Sequence, residues 1–213
     1  TPVMPPKPVP LNVVDAAARA GVEHVVKLTS KASPDSPIAR QRWHAQIEQG
    51  LAASGLPHTL LRSNAYMQNT LMLAPAIAKT GSFASSIGAG RVGMIDSRDV
   101  AAVAAAIAAD PADHAGQTYW LSGPELVTYA GVATVLSRLL GRTVTFRPQS
   151  REEDEAAMVR AGLPQPVAAM NALALSLFAE GEAEWLSQDV PNLLGRPARS
   201  YERFAADHVT AFS

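Results

Sequence analysis

The fold of this chain is decided by the stretch Gly21-Val22-Glu23-His24-Val25-Val26-Lys27-Leu28-Thr29-Ser30. Val22 to Leu28 is a short apolar run between a glycine and the polar pair Thr29-Ser30, which is typical of a buried parallel strand. Apolar residues at helical spacing predict a helix at about residues 10–20 that ends at Gly21. A helix, a glycine and a buried strand make half of a βαβ unit.

The alternation of helix and strand continues along the chain. A helix at about 37–54 and a strand at 58–62 follow, and from residue 151 the pattern becomes helical. Crossovers of this length favour a parallel, doubly wound sheet. We therefore predict an α/β, Rossmann-like domain over residues 1–125, and a small, mainly helical substrate-binding lobe over 126–213.

One glycine motif lies in an unexpected place. Gly88-Ala89-Gly90-Arg91-Val92-Gly93 has the pattern G-x-G-x-x-G, but a dinucleotide-binding turn leaves a first strand and opens a helix. This motif lies in the middle of the chain and continues through Met94-Ile95 before a helix can begin. Glycines around short apolar pieces predict a hairpin at about residues 81–95 instead.

Composition excludes several classes of protein. The 213 residues are 47% hydrophobic and 17% charged, with a formal net charge of -1, so we expect a folded protein with no bulk attraction to nucleic acid or anionic membranes. The chain has no cysteine and no apolar run long enough to span a bilayer. We expect a cytoplasmic protein without a membrane anchor.

Several catalytic motifs are absent from the sequence. The five histidines show no metal-ligand spacing, so we predict no metal site. No G-x-S-x-G elbow and no P-loop are present, which disfavours serine hydrolases and nucleoside triphosphatases.

Two polar turns follow predicted strands, where ligands of open α/β sheets bind. Thr29-Ser30-Lys31 offers two hydroxyls and an ammonium to a nicotinamide ribose or a phosphate; the alternative is that the hydroxyls satisfy strand-end backbone and Lys31 is solvated. In Arg62 to Asn69, amides can bind a carboxamide and Tyr66 can cover a planar cofactor. The alternative there is that Ser63 or Asn64 caps a helix, with Tyr66 and Met67 in the core.

One histidine is a candidate proton donor. His44 lies four residues before Glu48 on a predicted helix whose buried stripe contains Trp43 and Ile47. We place His44 at the edge of that stripe, where it either faces a cleft or has a structural role.

Several stretches in order along the chain resemble the NmrA-like branch of atypical short-chain dehydrogenases, and within it NAD(P)H:quinone oxidoreductases and azoreductase-like members. They are Gly21 to Ser30, Ser54 to Arg62, Tyr66-Met67-Gln68-Asn69, Ile95 to Ala101, Tyr119 to Pro124, Gly162-Leu163-Pro164 and Leu194-Gly195-Arg196-Pro197.

The resemblance implies an enzyme that binds NADP(H) or NAD(H) and passes hydride to a quinone-like or other small-molecule acceptor. It implies that Thr1, Pro2 and Val3 and also Asn64, Ala65, Tyr66, Met67, Gln68 and Asn69 contact the cofactor. It places His44 near the nicotinamide and Tyr66 beside the substrate pocket, which residues 151–185 would help to roof. His44 or Tyr66 would then be catalytic and supply a proton or a hydrogen bond to the acceptor oxygen.

Two departures from the family pattern leave alternatives open. The Tyr-x-x-x-Lys pair of typical short-chain dehydrogenases is absent, which is compatible with a non-catalytic NAD(P)-sensing regulator that acts through protein partners. The family's Gly-rich turn and first strands would precede Thr1, so we expect weak cofactor binding by residues 1–213 alone. An exposed strand edge also leads us to expect a homodimer or aggregation.

Overall fold

The computed structural model describes residues 9–213, with side chains from Asn12 onward. Helices and strands alternate as the sequence predicts. The helices are α1 (Val9–Arg19), α2 (Ala39–Ser54), α3 (Ala74–Thr80), α4 (Ser97–Ala109), α5 (Tyr129–Leu140), α6 (Arg151–Arg160), α7 (Gln165–Ala179), α8 (Asp189–Leu194) and α9 (Tyr201–Asp207). The strands are β1 (Val25–Thr29), β2 (His58–Ser63), β3 (Ser82–Ser85), β4 (Thr118–Leu121) and β5 (Thr145–Pro148), and short 3-10 helices cover Met67–Leu73, Ala112–His114 and Val209–Phe212.

The chain forms two compact units. The first consists of the residues up to Ser63 together with Ala104–Trp120, and the second of Asn64–Val103 together with Leu121–Ser213. The predicted division into a cofactor domain and a substrate lobe at residue 125 remains a prediction.

A three-stranded sheet with the order β1-β2-β4 organises the first unit. β1 and β2 are parallel, and Thr29 lies opposite Arg62. On one face of this pair, Ile47 and Leu51 of α2 pack with Val14 of α1, which fixes α2 against the strands.

Two burial predictions in the first unit are wrong. β1 is an edge strand of the described sheet, so Leu28 is 44% exposed rather than buried. The buried face of α2 contains Ala45, Ile47 and Leu51. Trp43 lies outside this face and is 51% exposed.

The second unit shows that the predicted hairpin at residues 81–95 is wrong. β3 pairs in parallel with β5, and Val92 forms an antiparallel bridge with Val127. The glycines serve close backbone contact instead: a Cβ on Gly90 would lie 2.5 Å from the carbonyl oxygen of Phe178, and one on Gly93 would lie 2.2 Å from that of Trp185. A sequence pattern cannot show such contacts, because the opposing backbone is about 90 residues away.

Helix caps and aromatic contacts complete the second unit. Thr128 caps α5, since its Oγ1 accepts from the backbone N–H of Gly131, and Ser150 with Glu153 forms a capping box on α6. Phe83 packs edge to face on Tyr129 at 5.9 Å between ring centroids.

In the described part of the chain, no helix combines the length and apolar character that crossing a bilayer requires.

Candidate functional site

The predicted site residues fall into three groups. Thr1, Pro2 and Val3 lie outside the described residues. Thr29, Ser30, Lys31 and His44 belong to the first unit, and Asn64 to Asn69 belong to the second.

The carboxyl ends of β1 and β2 carry buried hydroxyls. Thr29 is buried and its Oγ1 donates to the carbonyl of Ser30 at 3.3 Å, so it satisfies strand-end backbone. The buried Oγ atoms of Ser30 and Ser63, in contrast, have no hydrogen-bond partner among the described residues. An unpaired buried hydroxyl costs roughly 1–3 kcal/mol, and two of them at one sheet edge indicate a place where a ligand supplies the missing partners.

Ser63 is a functional candidate that lies in the predicted polar turn Arg62 to Asn69, where the sequence predicts for Ser63 itself a helix cap as the alternative and no specific cofactor contact. Thr29 and Arg62 are register partners, so Ser30, the first residue after β1, and Ser63, the last residue of β2, follow adjacent positions at the same edge of the sheet. Strand pairing is the signal that would have found it, because the sequence places the two serines 33 positions apart.

His44 is half-buried on α2, and its buried Nδ1 has no hydrogen-bond partner among the described residues. Burial, together with the positive charges of Lys27 and Arg40, lowers the pKa of His44 to about 4, against a smaller opposing effect of Glu48. The imidazole is therefore neutral near pH 7. A neutral imidazole donates through one ring nitrogen and accepts through the other, so His44 can offer a hydrogen bond but holds no transferable imidazolium proton.

A charged cluster surrounds His44. Arg62 donates to both carboxylate oxygens of Glu48, with Nε 3.2 Å from Oε1. The same guanidinium lies 5.0 Å from the ring centroid of Trp120, a favourable cation–π distance. Burial also lowers the pKa of Lys27, although Glu48 opposes the shift. Glu48 is thereby engaged by Arg62, and the surroundings of His44 are net positive.

The turn from Asn64 to Asn69 in the second unit contains three residues with structural roles. The amide of Asn64 donates to the carbonyls of Ala183 at 3.0 Å and Trp185 at 3.3 Å. Met67 is completely buried in the core. Gln68 donates to Oδ1 of Asp96 at 2.9 Å and accepts from the N–H of Ser97 at 3.1 Å. Asn64 and Gln68 therefore hold the turn in place.

Tyr66 and Asn69 are the members of this turn left for a ligand. Tyr66 is half-buried, Asn69 is exposed, and no described residue accepts a hydrogen bond from the Tyr66 hydroxyl. Main-chain bonds fix the backbone beneath Tyr66: the N–H of Met67 donates to Ile95, and the N–H of Ile95 donates to Ala65, both at 2.9 Å. The aromatic ring thus projects from a rigid support.

Two buried aspartates at the start of α4 extend this support. Asp96 accepts from Nε of Arg98 at 2.9 Å. Asp99 accepts from Nη2 of Arg196 at 2.8 Å and from the N–H of Arg199 at 2.7 Å. The motif from Ile95 to Ala101 therefore connects the Tyr66 turn to the segment after α8. No group of three or more His, Asp or Glu side chains in the described ranges is arranged to hold a metal ion.

Residues 10–189 match the family model described as the NmrA-like family. The chain belongs to this family. It is 38% identical over 205 residues to the NAD(P)H azoreductase of Xenophilus azovorans, an alignment that covers 94% of this chain and 70% of that protein.

Solved structures give the same result. The NADPH-dependent quinone oxidoreductase QOR2 of Escherichia coli, complexed with NADPH, superimposes with a TM-score of 0.84 at 31% identity, over 94% of this chain and 69% of that one. Nmra, a negative transcriptional regulator, has a TM-score of 0.71 at 17% identity, over 95% of this chain and 69% of that one, which is a likeness of fold alone. The predicted family, Rossmann-like α/β fold and oxidoreductase class are confirmed.

Proposed function

We propose that this NAD(P)H-dependent oxidoreductase passes hydride to a quinone-like acceptor. The cofactor class is shared with the named azoreductase and quinone oxidoreductase, and the acceptor is our proposal. The observation that carries it is the pair of buried, unpartnered hydroxyls of Ser30 and Ser63 at the carboxyl ends of parallel strands, the edge at which such sheets bind nucleotides.

The residues of the first unit fit a dinucleotide. Ser30 and Ser63 would hydrogen-bond its polar groups, and Lys31, half-buried directly after β1, would place an ammonium toward a ribose or phosphate oxygen. When bound, NAD(P)H supplies the hydride. These contacts, like those predicted for Thr1 to Val3, remain proposals.

The chemistry proposed for His44 is hydrogen bonding rather than proton transfer. Its N–H would bind the quinone oxygen, where negative charge develops as hydride adds to the ring. The resulting hydroquinone anion would take its proton from water, because a group with a pKa of about 4 holds no proton to give at pH 7. We expect kcat to change by less than about twofold between pH 6 and 8.

In the second unit, Tyr66 is proposed to cover a planar ring, and Asn69 to bind a polar group of the ligand. The fixed backbone beneath Tyr66 limits the entropy lost on ordering that side chain. Asn64, Met67 and Gln68 are proposed to act through the turn that they hold.

Ser63→Ala, made in the complete gene product, tests the cofactor site. Since this change removes an unpaired buried hydroxyl, we expect the free energy of unfolding of the ligand-free protein to stay the same or to rise by up to about 1 kcal/mol. The Kd for NADPH should rise about tenfold. Ser137→Ala is the matched control, because the Ser137 hydroxyl donates to Ala133 and accepts from Val144. It should destabilise the protein and leave the Kd for NADPH unchanged.

NADPH oxidation by the complete gene product with a panel of quinones tests the reaction. Turnover that falls at least tenfold in His44→Phe supports the proposal. Micromolar NADPH binding without quinone turnover would refute the enzymatic proposal and favour the alternative of a non-catalytic NAD(P)-sensing regulator.

A further inference from the structure

A pocket of about 450 Å³ lies beside α8 in the second unit. Its walls are the turn Gly123–Pro124 after β4, the segment Leu186–Gln188 before α8, and the segment Gly195–Ala198 after it. We call it the α8 pocket. Its volume lies within the range of small-molecule sites, and none of the residues assigned to cofactor or to hydride transfer above lines it.

Arg196 gives this pocket hydrogen-bond donors that the protein does not use. A guanidinium carries five N–H donors. In Arg196, Nη2 donates to Asp99 at 2.8 Å and Nη1 donates to the carbonyl of Pro197 at 3.1 Å, while no described residue accepts from Nε. The side chain is 39% exposed, so the remaining donors are available to a ligand.

The charge around Arg196 is positive. The buried carboxylate of Asp99 binds the guanidinium groups of both Arg196 and Arg199, so two cations share one anion. No carboxylate is among the residues that line the pocket. An anionic group at the α8 pocket would complete the neutralisation, and Asp99 holds Arg196 in place beforehand.

Leu186 gives the lining of the pocket an apolar part whose backbone is fixed. Leu186 is 45% exposed, so its side chain is accessible to a ligand in the pocket. The residues on either side of it are fixed, because the carbonyl of Trp185 accepts from Asn64 at 3.3 Å and the N–H of Ser187 donates to Ser122 at 2.9 Å. This wall therefore offers a preformed surface to a flat hydrophobic body.

We propose that the α8 pocket binds the anionic substituent and adjoining ring of an aromatic acceptor. A sulfonate, carboxylate or phosphate would accept from Arg196, and the ring would pack against Leu186. That the ligand is a hydride acceptor rests on the proposed function. The anionic and aromatic character of the ligand is inferred from the pocket alone.

Naphthalene-2-sulfonate, which cannot be reduced by hydride, tests the pocket without turnover. Calorimetry should show one site, with the Kd raised about tenfold in Arg196→Gln, or about 1.4 kcal/mol. Arg203→Gln is the matched control, since it removes the same charge from an exposed side chain that pairs with Asp207 and does not line the pocket. An unchanged Kd in Arg196→Gln would overturn the proposal.

A second variant tests the pocket independently, in case Arg196→Gln does not fold. Gln188 is exposed and lines the pocket, and Gln188→Glu places a carboxylate there without touching Asp99. We expect it to weaken sulfonate binding at least threefold and the effect to shrink in high salt. Sulfonate binding unaffected by this change would also contradict the proposal.

Turnover separates this inference from the proposed function. With 1,2-naphthoquinone-4-sulfonate and its uncharged parent, Arg196→Gln should raise KM for the sulfonate alone by about tenfold. Equal KM changes for both quinones would overturn the pocket and leave the quinone reductase intact. Arginine-dependent sulfonate binding without any quinone turnover would uphold the pocket and refute the proposed function.

Discussion

The side-chain amide of Asn64 donates to the main-chain carbonyl of Ala183 at 3.0 Å, across 119 residues of sequence. The N–H of Gly93 donates to the same carbonyl at 3.2 Å. Three distant segments of the second unit thus meet at one carbonyl oxygen, and they include the turn that carries Tyr66. Asn64 is a structural link at a position where the sequence predicts a cofactor contact.

Asn64→Ala should lower the free energy of unfolding by about 1–3 kcal/mol, because it removes the side-chain donor to the Trp185 carbonyl, one of several donors to the Ala183 carbonyl, and the acceptor of the Ala65 N–H. Urea denaturation measures the loss. Asn69→Ala, in the exposed part of the same turn, should stay within about 0.5 kcal/mol of wild type. Equal stabilities of the two variants would contradict the structural role of Asn64.

Gly123→Ala should destabilise the protein by about 1–3 kcal/mol through overpacking. A Cβ at this position would lie 2.1 Å from the carbonyl oxygen of Met94, and backbone on both sides cannot move freely. The control is Gly131→Ala in α5, where the nearest atom is the side-chain oxygen of Thr128 at 3.3 Å and alanine favours the helix. Thermal unfolding experiments should show a lower Tm for Gly123→Ala and an unchanged or higher Tm for Gly131→Ala.

Asp96→Asn should cost about 1–3 kcal/mol at pH 7, because it removes a buried carboxylate that accepts from Arg98 and Gln68, while Arg98 keeps Asp207 as a partner. Burial by itself raises the pKa of this carboxyl, but the hydrogen bonds from Arg98 and Gln68 outweigh it and hold the pKa below its ordinary value. The stabilisation is therefore present above the ordinary pKa and is lost as the pH falls through the lowered one.

Urea titrations at pH 7 and pH 3 check this dependence. The difference in stability between wild type and Asp96→Asn should shrink at pH 3, whereas the exposed Asp113→Asn should match wild type at both values. A difference that stays constant with pH would show that the charge of Asp96 is not what stabilises the native state.

His44→Gln should change how stability depends on pH between about 6.5 and 4. The unfolded state binds a proton at His44 in this window and the folded state does not, since burial, together with Lys27 and Arg40, lowers the pKa of His44 more than Glu48 raises it. Wild type therefore loses stability as the pH falls from 6.5 to 4, and the variant lacks that part of the loss. Stability measured at pH 7.5 and 4.5 gives the difference, with His208→Gln as the control, and parallel profiles of wild type and His44→Gln would disprove it.

Local pattern predicts the elements of this fold well and the contacts between them poorly. The helix at 37–54 and the strand at 58–62 are found as α2 and β2, because apolar spacing and glycine stops are local signals. The predicted pairing of β3 and the predicted burial of Trp43 are wrong, because both depend on residues that are distant in the sequence. Ser63 depends in the same way on the register between β1 and β2, which no single segment encodes.

The unpartnered hydroxyls of Ser30 and Ser63 also bear on the lifetime of the protein. A fold that leaves buried donors unsatisfied is less resistant to opening until a ligand satisfies them, and ligand binding shifts the balance toward the folded form by mass action. If NAD(P)H is that ligand, the cellular concentration of the cofactor governs both the rate of catalysis and the rate at which proteases degrade the protein.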